Sequence, residues 1–230
     1  MRIIIPILLL FMLSCSKPQS DAPRETWDTT GTGSAGSQVF DNNNIKESQP
    51  QALPGDRQYW QNPDLVLDKL GNLENKTVAD IGAGTGYFTF RLAERGANVI
   101  AVDIDPDYLT YISDRRDQLS SSRQQQIETR LSEPDSPPLE PNEADFVLLV
   151  NTYTFLPDRV EYLKKVYAGL TENGSICIVD YKNDEVPVIS DETPVLNPTV
   201  VRNDLTKAGF QKIQLDSVSL EYQYIFTAKK

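Results

Sequence analysis

Histidine is absent from this 230-residue sequence, and cysteine occurs only twice, as Cys15 and Cys177. Without imidazole the chain cannot build a serine–histidine triad, a histidine-ligated metal site or a histidine acid–base catalyst. Two cysteines are too few for a disulfide framework or a four-cysteine zinc site. We therefore expect no metal site. Any polar chemistry must depend on carboxylates, amides, hydroxyls and the backbone.

Positive charge is also scarce, because 22 lysines and arginines face 33 acidic residues. The net charge of −11 and the pI of about 4.5 would repel phosphate backbones and anionic membrane surfaces, so we expect no nucleic-acid partner. The length and the hydrophobic content of 39% allow one domain with a substantial core, and are too small for two full-sized domains. We expect this domain to be a monomer.

The apolar run near the amino terminus is too short to span a bilayer. Residues 3–13 are apolar, whereas a spanning helix needs roughly twenty such residues. The run follows Arg2 and ends at Ser14-Cys15, a layout that resembles a bacterial lipoprotein signal in which Cys15 becomes the lipidated first residue. The sequence therefore predicts a signal over residues 1–15 and an extracytoplasmic domain whose only membrane contact is the lipid. An uncleaved hydrophobic anchor or a misassigned start codon is the alternative interpretation of this run, and the cytoplasm is the alternative location.

The next segment, residues 16–52, is rich in small polar residues, glycine and proline and has no sustained periodicity. Such a segment cannot bury enough apolar surface to offset the entropy of ordering it. It is interpreted as a flexible tether before a globular domain over residues 53–230. In that domain strand-like and helix-like segments alternate, and two strands follow each other at the end. This order predicts an α/β doubly wound sheet whose last pair of strands is antiparallel.

Residues 77–106 predict a strand, a tight turn, a helix and a second strand. The first strand carries one acid near its end, Asp80, and the second is followed by Asp103. The turn after the first strand has a glycine at every other position: Gly82, Gly84 and Gly86. Because open α/β sheets bind ligands at the carboxyl ends of their strands, this unit is the predicted ligand site.

The glycine spacing discriminates between two ligands. Dinucleotide folds use Gly-x-Gly-x-x-Gly and place the pyrophosphate on the helix amino terminus. Here the turn is Gly-x-Gly-x-Gly, and Asp80 would oppose a pyrophosphate but suits a cationic amino group such as that of S-adenosylmethionine. Asp103 is placed to accept both hydroxyls of a ribose, or to cap the helix that begins near Pro106. A close turn in a domain that binds nothing is the other interpretation of the glycines.

The residues DIGAGTGYFTFRLAERGANVIAVDIDP resemble the first two motifs of class I S-adenosylmethionine-dependent methyltransferases, and VLLVNTYTFLPDRVEYLKKVYAGLTENGSICIVDY resembles the later motifs of that superfamily. The resemblance implies a Rossmann-like, seven-stranded sheet, mostly parallel with an antiparallel last strand, that binds S-adenosyl-L-methionine. The residues it implies for the cofactor site are Asp80, Gly82, Ala83, Gly84, Gly86, Asp103, Ile104 and Asn151.

The resemblance also implies methyl transfer to an acceptor, which we expect to be a small molecule. Relatives often carry an acid or histidine after the fourth strand, where this sequence has Asn151-Thr152-Tyr153-Thr154. The acceptor is therefore expected to need little proton removal, unless Tyr153 or Asp180 acts at the pocket mouth. A tethered domain that binds S-adenosylmethionine or another nucleoside without catalysis is the alternative function.

The sequence does not decide between two roles for each of two further segments. Residues 131–133 fall where the family contacts adenine but lack the Gly-Asp often seen there, so an ordinary surface loop is an equal interpretation. Tyr59-Trp60 precede the first predicted helix, and they could close over the cofactor or pack on the sheet edge.

Overall fold

The computed structural model describes residues 57–182 and 193–230. The expectations for the signal, the tether and the first residues of the domain fall outside this part of the chain. So does most of the connection between residues 182 and 198.

The domain is built on one seven-stranded sheet, whose strand order is β3-β2-β1-β4-β5-β7-β6. Strand β7 runs antiparallel to both of its neighbours, and the pairs among β1 to β5 are parallel. The predicted fold class, a Rossmann-like α/β sheet that is mostly parallel, is thereby confirmed. The strands are β1 (Thr77–Ile81), β2 (Asn98–Asp103), β3 (Ile127–Leu131), β4 (Ala144–Val150), β5 (Leu170–Tyr181), β6 (Gln211–Asp216) and β7 (Gln223–Lys229).

Helices connect the strands, and three of them begin with the same local signal. Asn62, Asp105 and Asn197 each accept a backbone N–H in the first turn through the side chain, and a proline follows each of them. None of the described helices is long and apolar enough to cross a membrane. The helices are α1 (Arg57–Gln61), α2 (Pro63–Asp68), α3 (Tyr87–Glu94), α4 (Pro106–Arg116), α5 (Ser121–Gln124), α6 (Arg159–Gly169) and α7 (Pro198–Lys207), with a 3-10 turn at Tyr153–Phe155.

Alternation along the central strands divides the core into two layers. On β5, Ile176 and Ile178 pack on the face covered by α6 and α7, while Cys177 and Val179 pack on the face covered by α2 and α3. All four side chains are almost fully buried, as expected for a strand covered on both faces. Burial raises the pKa of Cys177 to about 12, so this residue is an inert core thiol.

The structure differs from the sequence-based prediction in two places. Tyr59 and Trp60 lie within a short helix, α1, rather than before the first helix. Strand β5 begins at Leu170, although Asn173-Gly174 predicts a turn there. Leu170 pairs with Ala144, and the ladder then shifts register before it continues at Phe146 and Ser175, so an irregularity absorbs the turn residues.

Candidate functional site

The carboxyl ends of β1, β2 and β4 meet at one edge of the sheet, where the strand order reverses. A cleft lies at this edge, as is general for open α/β sheets. It has two halves, which share Gly82 and Thr152. The polar hollow is lined among others by Arg57, Asp80, Gly84 and Asn151. The apolar hollow is lined among others by Asp103, Ile104, Ser132, Glu133, Phe155 and Leu156.

The three glycines between β1 and α3 all have positive φ, at +76°, +52° and +82°, but they face different surroundings. A Cβ on Gly82 would lie 2.1 Å from Thr152 Oγ1, and one on Gly86 would lie 2.7 Å from the Phe90 ring. A Cβ on Gly84 would meet nothing within 4 Å, because this residue opens onto the polar hollow. Gly86 lines neither hollow, and its lack of a side chain serves helix packing.

Asp80 places a buried carboxylate beneath the polar hollow. Its Oδ2 accepts a hydrogen bond from the Thr89 hydroxyl at 2.7 Å, in the first turn of α3. Burial raises the pKa of Asp80 to about 6, although the Thr89 hydrogen bond and the charge of Arg57 both act to lower it. A carboxylate that desolvation destabilises in this way favours a cationic ligand group. Asp80 also lies at the amino terminus of α3, where a negative charge is favourable. This structural role is compatible with binding a cationic ligand group.

Asp103 ends β2 with its carboxylate turned back to the glycine turn. Oδ2 accepts from the backbone nitrogen of Gly84 at 2.8 Å, and Oδ1 accepts from that of Asp105 at 3.0 Å. Each carboxylate oxygen has two acceptor positions, so one position remains on each. Two such positions on a side chain that lines the cleft can accept two neighbouring hydroxyls, the pattern that a ribose presents. The helix cap before Pro106 is provided by Asp105 and not by Asp103.

The apolar hollow can take a planar group. Ile104 and Phe155 border it, and both remain about 60% exposed. Ser132 and Glu133 also border it. The structure thus places at this hollow two residues of the segment 131–133, whose role the sequence left undecided. The Ser132 hydroxyl holds the loop by sharing its one proton between the carbonyl oxygens of Glu133 (2.9 Å) and Ser136 (3.0 Å).

Asn151 follows β4 with φ of +57° and lies at the junction of the cleft with a buried set of amides. Its amide nitrogen donates to the Tyr181 hydroxyl oxygen at 3.1 Å, and its Oδ1 accepts from Gln223 Nε2 at 2.5 Å. Gln223 Oε1 accepts from Gln61 Nε2 at 3.0 Å, and Gln61 Oε1 accepts from Arg57 Nε at 2.5 Å.

Sequence reasoning did not single out Arg57, Gln61 or Gln223. No local motif marks the first two. Gln223 stands between Tyr222 and Tyr224 without breaking their alternation, and its partner Asn151 is 72 positions away. The antiparallel pairing of β5 and β7 places Gln223 opposite Tyr181.

The structure places Tyr153 and Asp180, the two candidate bases, away from the cleft. The hydroxyl of fully buried Tyr153 donates to Asp204 Oδ2 at 3.0 Å, and burial raises its pKa above the ordinary value. The carboxylate of buried Asp180 accepts the backbone N–H groups of Thr154 (3.1 Å) and Tyr181 (2.9 Å). Burial raises the pKa of Asp180 to about 6, but neither side chain lines either hollow. Both therefore brace the structure, and the expectation that one acts at the pocket mouth is wrong for this geometry.

Known proteins resemble this chain in sequence and in fold. Residues 79–178 match the family described as "Methyltransferase domain". An uncharacterised methyltransferase of Mycobacterium bovis is 32% identical over 123 residues, which are 54% of this chain and 47% of the relative. The chain thus spans about half the length of this curated relative. The matched part of the chain is therefore similar to methyltransferase domains.

Two solved structures show the same fold at low identity. A methyltransferase from Aquifex aeolicus, described as S-adenosylmethionine dependent, superposes with a TM-score of 0.66 at 24% identity, covering 75% of this chain and 92% of that one. The phosphoethanolamine N-methyltransferase 2 of Haemonchus contortus, solved in complex with S-adenosylmethionine, gives a TM-score of 0.63 at 16% identity, covering 74% and 52%.

Proposed function

We propose that this chain, which has the fold of the class I S-adenosylmethionine-dependent methyltransferases, binds S-adenosylmethionine in the cleft at β1, β2 and β4 and transfers its methyl group to an acceptor. The observation that carries the proposal is the pair of carboxylates at the two strand ends. Asp80 lies at the polar hollow and Asp103 at the apolar one, with Gly84 open between them.

The residues present fit the cofactor group by group. Buried Asp80, whose pKa is raised, suits the ammonium of the methionine part. Arg57 lines the same hollow and suits the carboxylate of that part. Asp103 has free acceptor positions for the ribose, and Ile104 and Phe155 offer apolar surface to adenine. Gly82, Ala83 and Gly84 bring backbone rather than side chains to the middle of the cleft.

Bound S-adenosylmethionine supplies an electrophilic methyl group on a sulfonium. The chain's own task is then to hold the acceptor in line with that group and to exclude water, because correct positioning by itself lowers the barrier substantially. Asn151 is fixed by two hydrogen bonds where the polar hollow meets the end of β4, and this rigidity suits a positioning role. Since Tyr153 and Asp180 lie elsewhere, we infer that the acceptor reacts without a base supplied by either residue.

Calorimetric titration of the full chain with S-adenosylmethionine, S-adenosylhomocysteine and NAD tests the proposal. We expect the first two to bind and NAD to bind at least tenfold more weakly, because Asp80 opposes a pyrophosphate. Asp103→Asn should weaken S-adenosylmethionine binding by roughly ten- to hundredfold, since it removes charge-assisted hydrogen bonds to the ribose, while the unfolding transition remains cooperative.

Asp107→Asn is the matched control, because Asp107 is an exposed acid in the first turn of α4 and lines neither hollow. Its cofactor affinity should equal that of the unsubstituted chain. Unchanged affinity in Asp103→Asn, or tighter binding of NAD than of S-adenosylmethionine, would show that the cleft is not the proposed site.

A further inference from the structure

A chain of buried side-chain hydrogen bonds runs from Arg57 to Tyr181 along one side of the cleft. Its middle members, Gln61 and Gln223, have no exposed surface, and Asn151 links them to the polar hollow. The four links measure 2.5, 3.0, 2.5 and 3.1 Å. The members belong to α1, β7, the turn after β4 and the end of β5, so the tertiary fold assembles them. We call this set the amide relay.

The amide relay has one direction, which Arg57 fixes. A guanidinium can only donate, so Arg57 Nε must face the amide oxygen of Gln61. The nitrogen of Gln61 is then left to donate to Gln223, and the same constraint passes along to Asn151. At the far end the Asn151 nitrogen donates to the Tyr181 hydroxyl oxygen. Because that oxygen accepts, the hydroxyl of Tyr181 must donate its own proton to something else.

Within residues 57–182 and 193–230, the Tyr181 hydroxyl has Asn151 as its partner and no acceptor for its proton. Burial raises the pKa of Tyr181, so the hydroxyl stays protonated at neutral pH. The side chain keeps 8% of its surface exposed, and the Asn151 amide to which it is bonded lines the polar hollow. Tyr181 itself lines neither hollow, and its hydroxyl lies behind the Asn151 amide, one hydrogen bond away from the polar hollow. It is a fixed donor without a protein acceptor in the described part of the chain.

We propose that the Tyr181 hydroxyl holds the methyl acceptor, and that this acceptor is a carboxylate. The inference rests on the methyltransferase function proposed above. A neutral phenol donor recognises an unprotonated oxygen, and a donor polarised through a relay that begins at a guanidinium favours an anionic one. A carboxylate also fits a cleft from which Tyr153 and Asp180 are absent, because it has no proton to lose.

The step balances without a further reactant. One carboxylate oxygen forms a bond to the methyl carbon as the carbon–sulfur bond breaks, and the electron pair of that bond stays on sulfur. The products are a methyl ester and S-adenosylhomocysteine, and no proton moves. Tyr181 hydrogen-bonds the second carboxylate oxygen, so its role is binding and orientation rather than acid–base catalysis.

The test measures binding apart from turnover. The full chain is saturated with S-adenosylhomocysteine and titrated calorimetrically with benzoate and succinate, and with benzamide and succinamide as neutral matches. We expect each carboxylate to bind at least about tenfold more tightly than its amide, since a hydrogen bond to a charged group is the stronger one. With S-adenosylmethionine in place of the product, the carboxylates should raise the formation of S-adenosylhomocysteine and the amides should not.

Two variants test the residue and the relay. Tyr181→Phe should weaken carboxylate binding roughly tenfold and leave the affinity for S-adenosylhomocysteine unchanged. Gln61→Leu separates Arg57 from the rest of the relay, so that the Asn151 amide can turn over and take the Tyr181 proton. Gln61→Leu should therefore also weaken carboxylate binding. If Tyr181→Phe does not fold, Gln61→Leu alone decides.

Tyr224→Phe is the matched control, because Tyr224 lies on β7 beside Gln223 but faces the opposite core layer. Its hydroxyl is buried without a partner among the described residues, so its removal should leave both affinities unchanged. Equal binding of carboxylates and amides, no carboxylate binding to the loaded protein, or unchanged carboxylate affinity in Tyr181→Phe would each overturn the carboxylate assignment and leave the cofactor site standing. Failure of S-adenosylhomocysteine itself to bind would instead refute the proposed function.

Discussion

At the scale of single residues, Asp80 carries a conflict between stability and binding. Its carboxylate is 3% exposed and has a pKa of about 6, against an ordinary value of 3.8. The folded state therefore prefers the protonated form. The stability that Asp80 contributes is fully present below about pH 4 and is lost as the pH rises through about 6. At neutral pH the ligand-free domain holds a charge that its own fold does not favour.

Asp80→Asn should raise the melting temperature of the ligand-free protein at pH 7 to 8 and change it little near pH 4. The amide keeps the acceptor for the Thr89 hydroxyl without the buried charge, and the gain is of the order of 1–3 kcal/mol. The same variant should lose most of its affinity for S-adenosylmethionine, whose ammonium loses its counter-charge. Thermal scans from pH 4.5 to 8, paired with calorimetry, check both parts.

In the unsubstituted protein, cofactor affinity should fall as the pH drops through about 6, because protonation of Asp80 removes the charge that the ammonium needs. A pH-independent affinity over this range, or a destabilised Asp80→Asn at pH 8, would contradict the role given to this carboxylate.

At the scale of elements, the turn between β1 and α3 divides its work among three glycines. Gly82 allows close contact with Thr152, and Gly86 leaves room for the Phe90 ring of α3 and for Ile112 of α4. Gly84 differs, since open space faces it. Two of the three thus serve the fold, and the third keeps the cleft free.

Gly82→Ala and Gly84→Ala should separate these roles. Both force alanine into a left-handed conformation, at a cost of roughly 1–2 kcal/mol. Gly82→Ala adds a steric clash with Thr152 and should destabilise the domain further, by about 1–3 kcal/mol. Gly84→Ala should fold with the smaller loss of stability. It should bind S-adenosylmethionine at least about tenfold more weakly, because the added methyl group enters the polar hollow. Urea unfolding and calorimetry measure the two effects, and normal binding by Gly84→Ala would contradict the site.

Elements with a strong local signal were predictable from sequence. Strand β1, the glycine turn and Asp103 combine apolar periodicity, glycine spacing and strand-end acids within 30 positions, and the structure has them at the predicted places. The amide relay was not predictable, since its contacts join positions 57, 61, 151, 181 and 223 and need the pairing of β5 with β7. The prediction that Tyr153 acts at the pocket mouth failed for the same reason, because the burial of Tyr153 against Asp204 comes from the packing of α7.

At the scale of the whole molecule, the location of the domain affects its function. We propose that Cys15 is lipidated, on the sequence pattern of residues 3–15 alone. Outside the cytoplasm the domain would need an extracytoplasmic supply of S-adenosylmethionine. In that case, cofactor binding without turnover would favour the nucleoside-binding alternative.

Cys15→Ser tests this location. Cells that express the full chain should incorporate labelled palmitate into the protein, and the protein should be found in the membrane fraction. The Cys15→Ser variant should do neither, while its purified domain keeps the cofactor affinity of the unsubstituted chain. Equal fractionation of the two proteins would contradict lipidation.

The strand order has a further consequence for the growing polypeptide. Strands β1 and β2 with Asp80 and Asp103, and strand β4, have all been synthesised by position 150, whereas Gln223, which fixes the Asn151 amide, is added more than 70 residues later. A nascent chain can therefore complete its nucleoside end well before its acceptor end. Early capture of the nucleoside would stabilise a half-built sheet, and the acceptor would gain a defined place only when the antiparallel strand β7 inserts between β5 and β6.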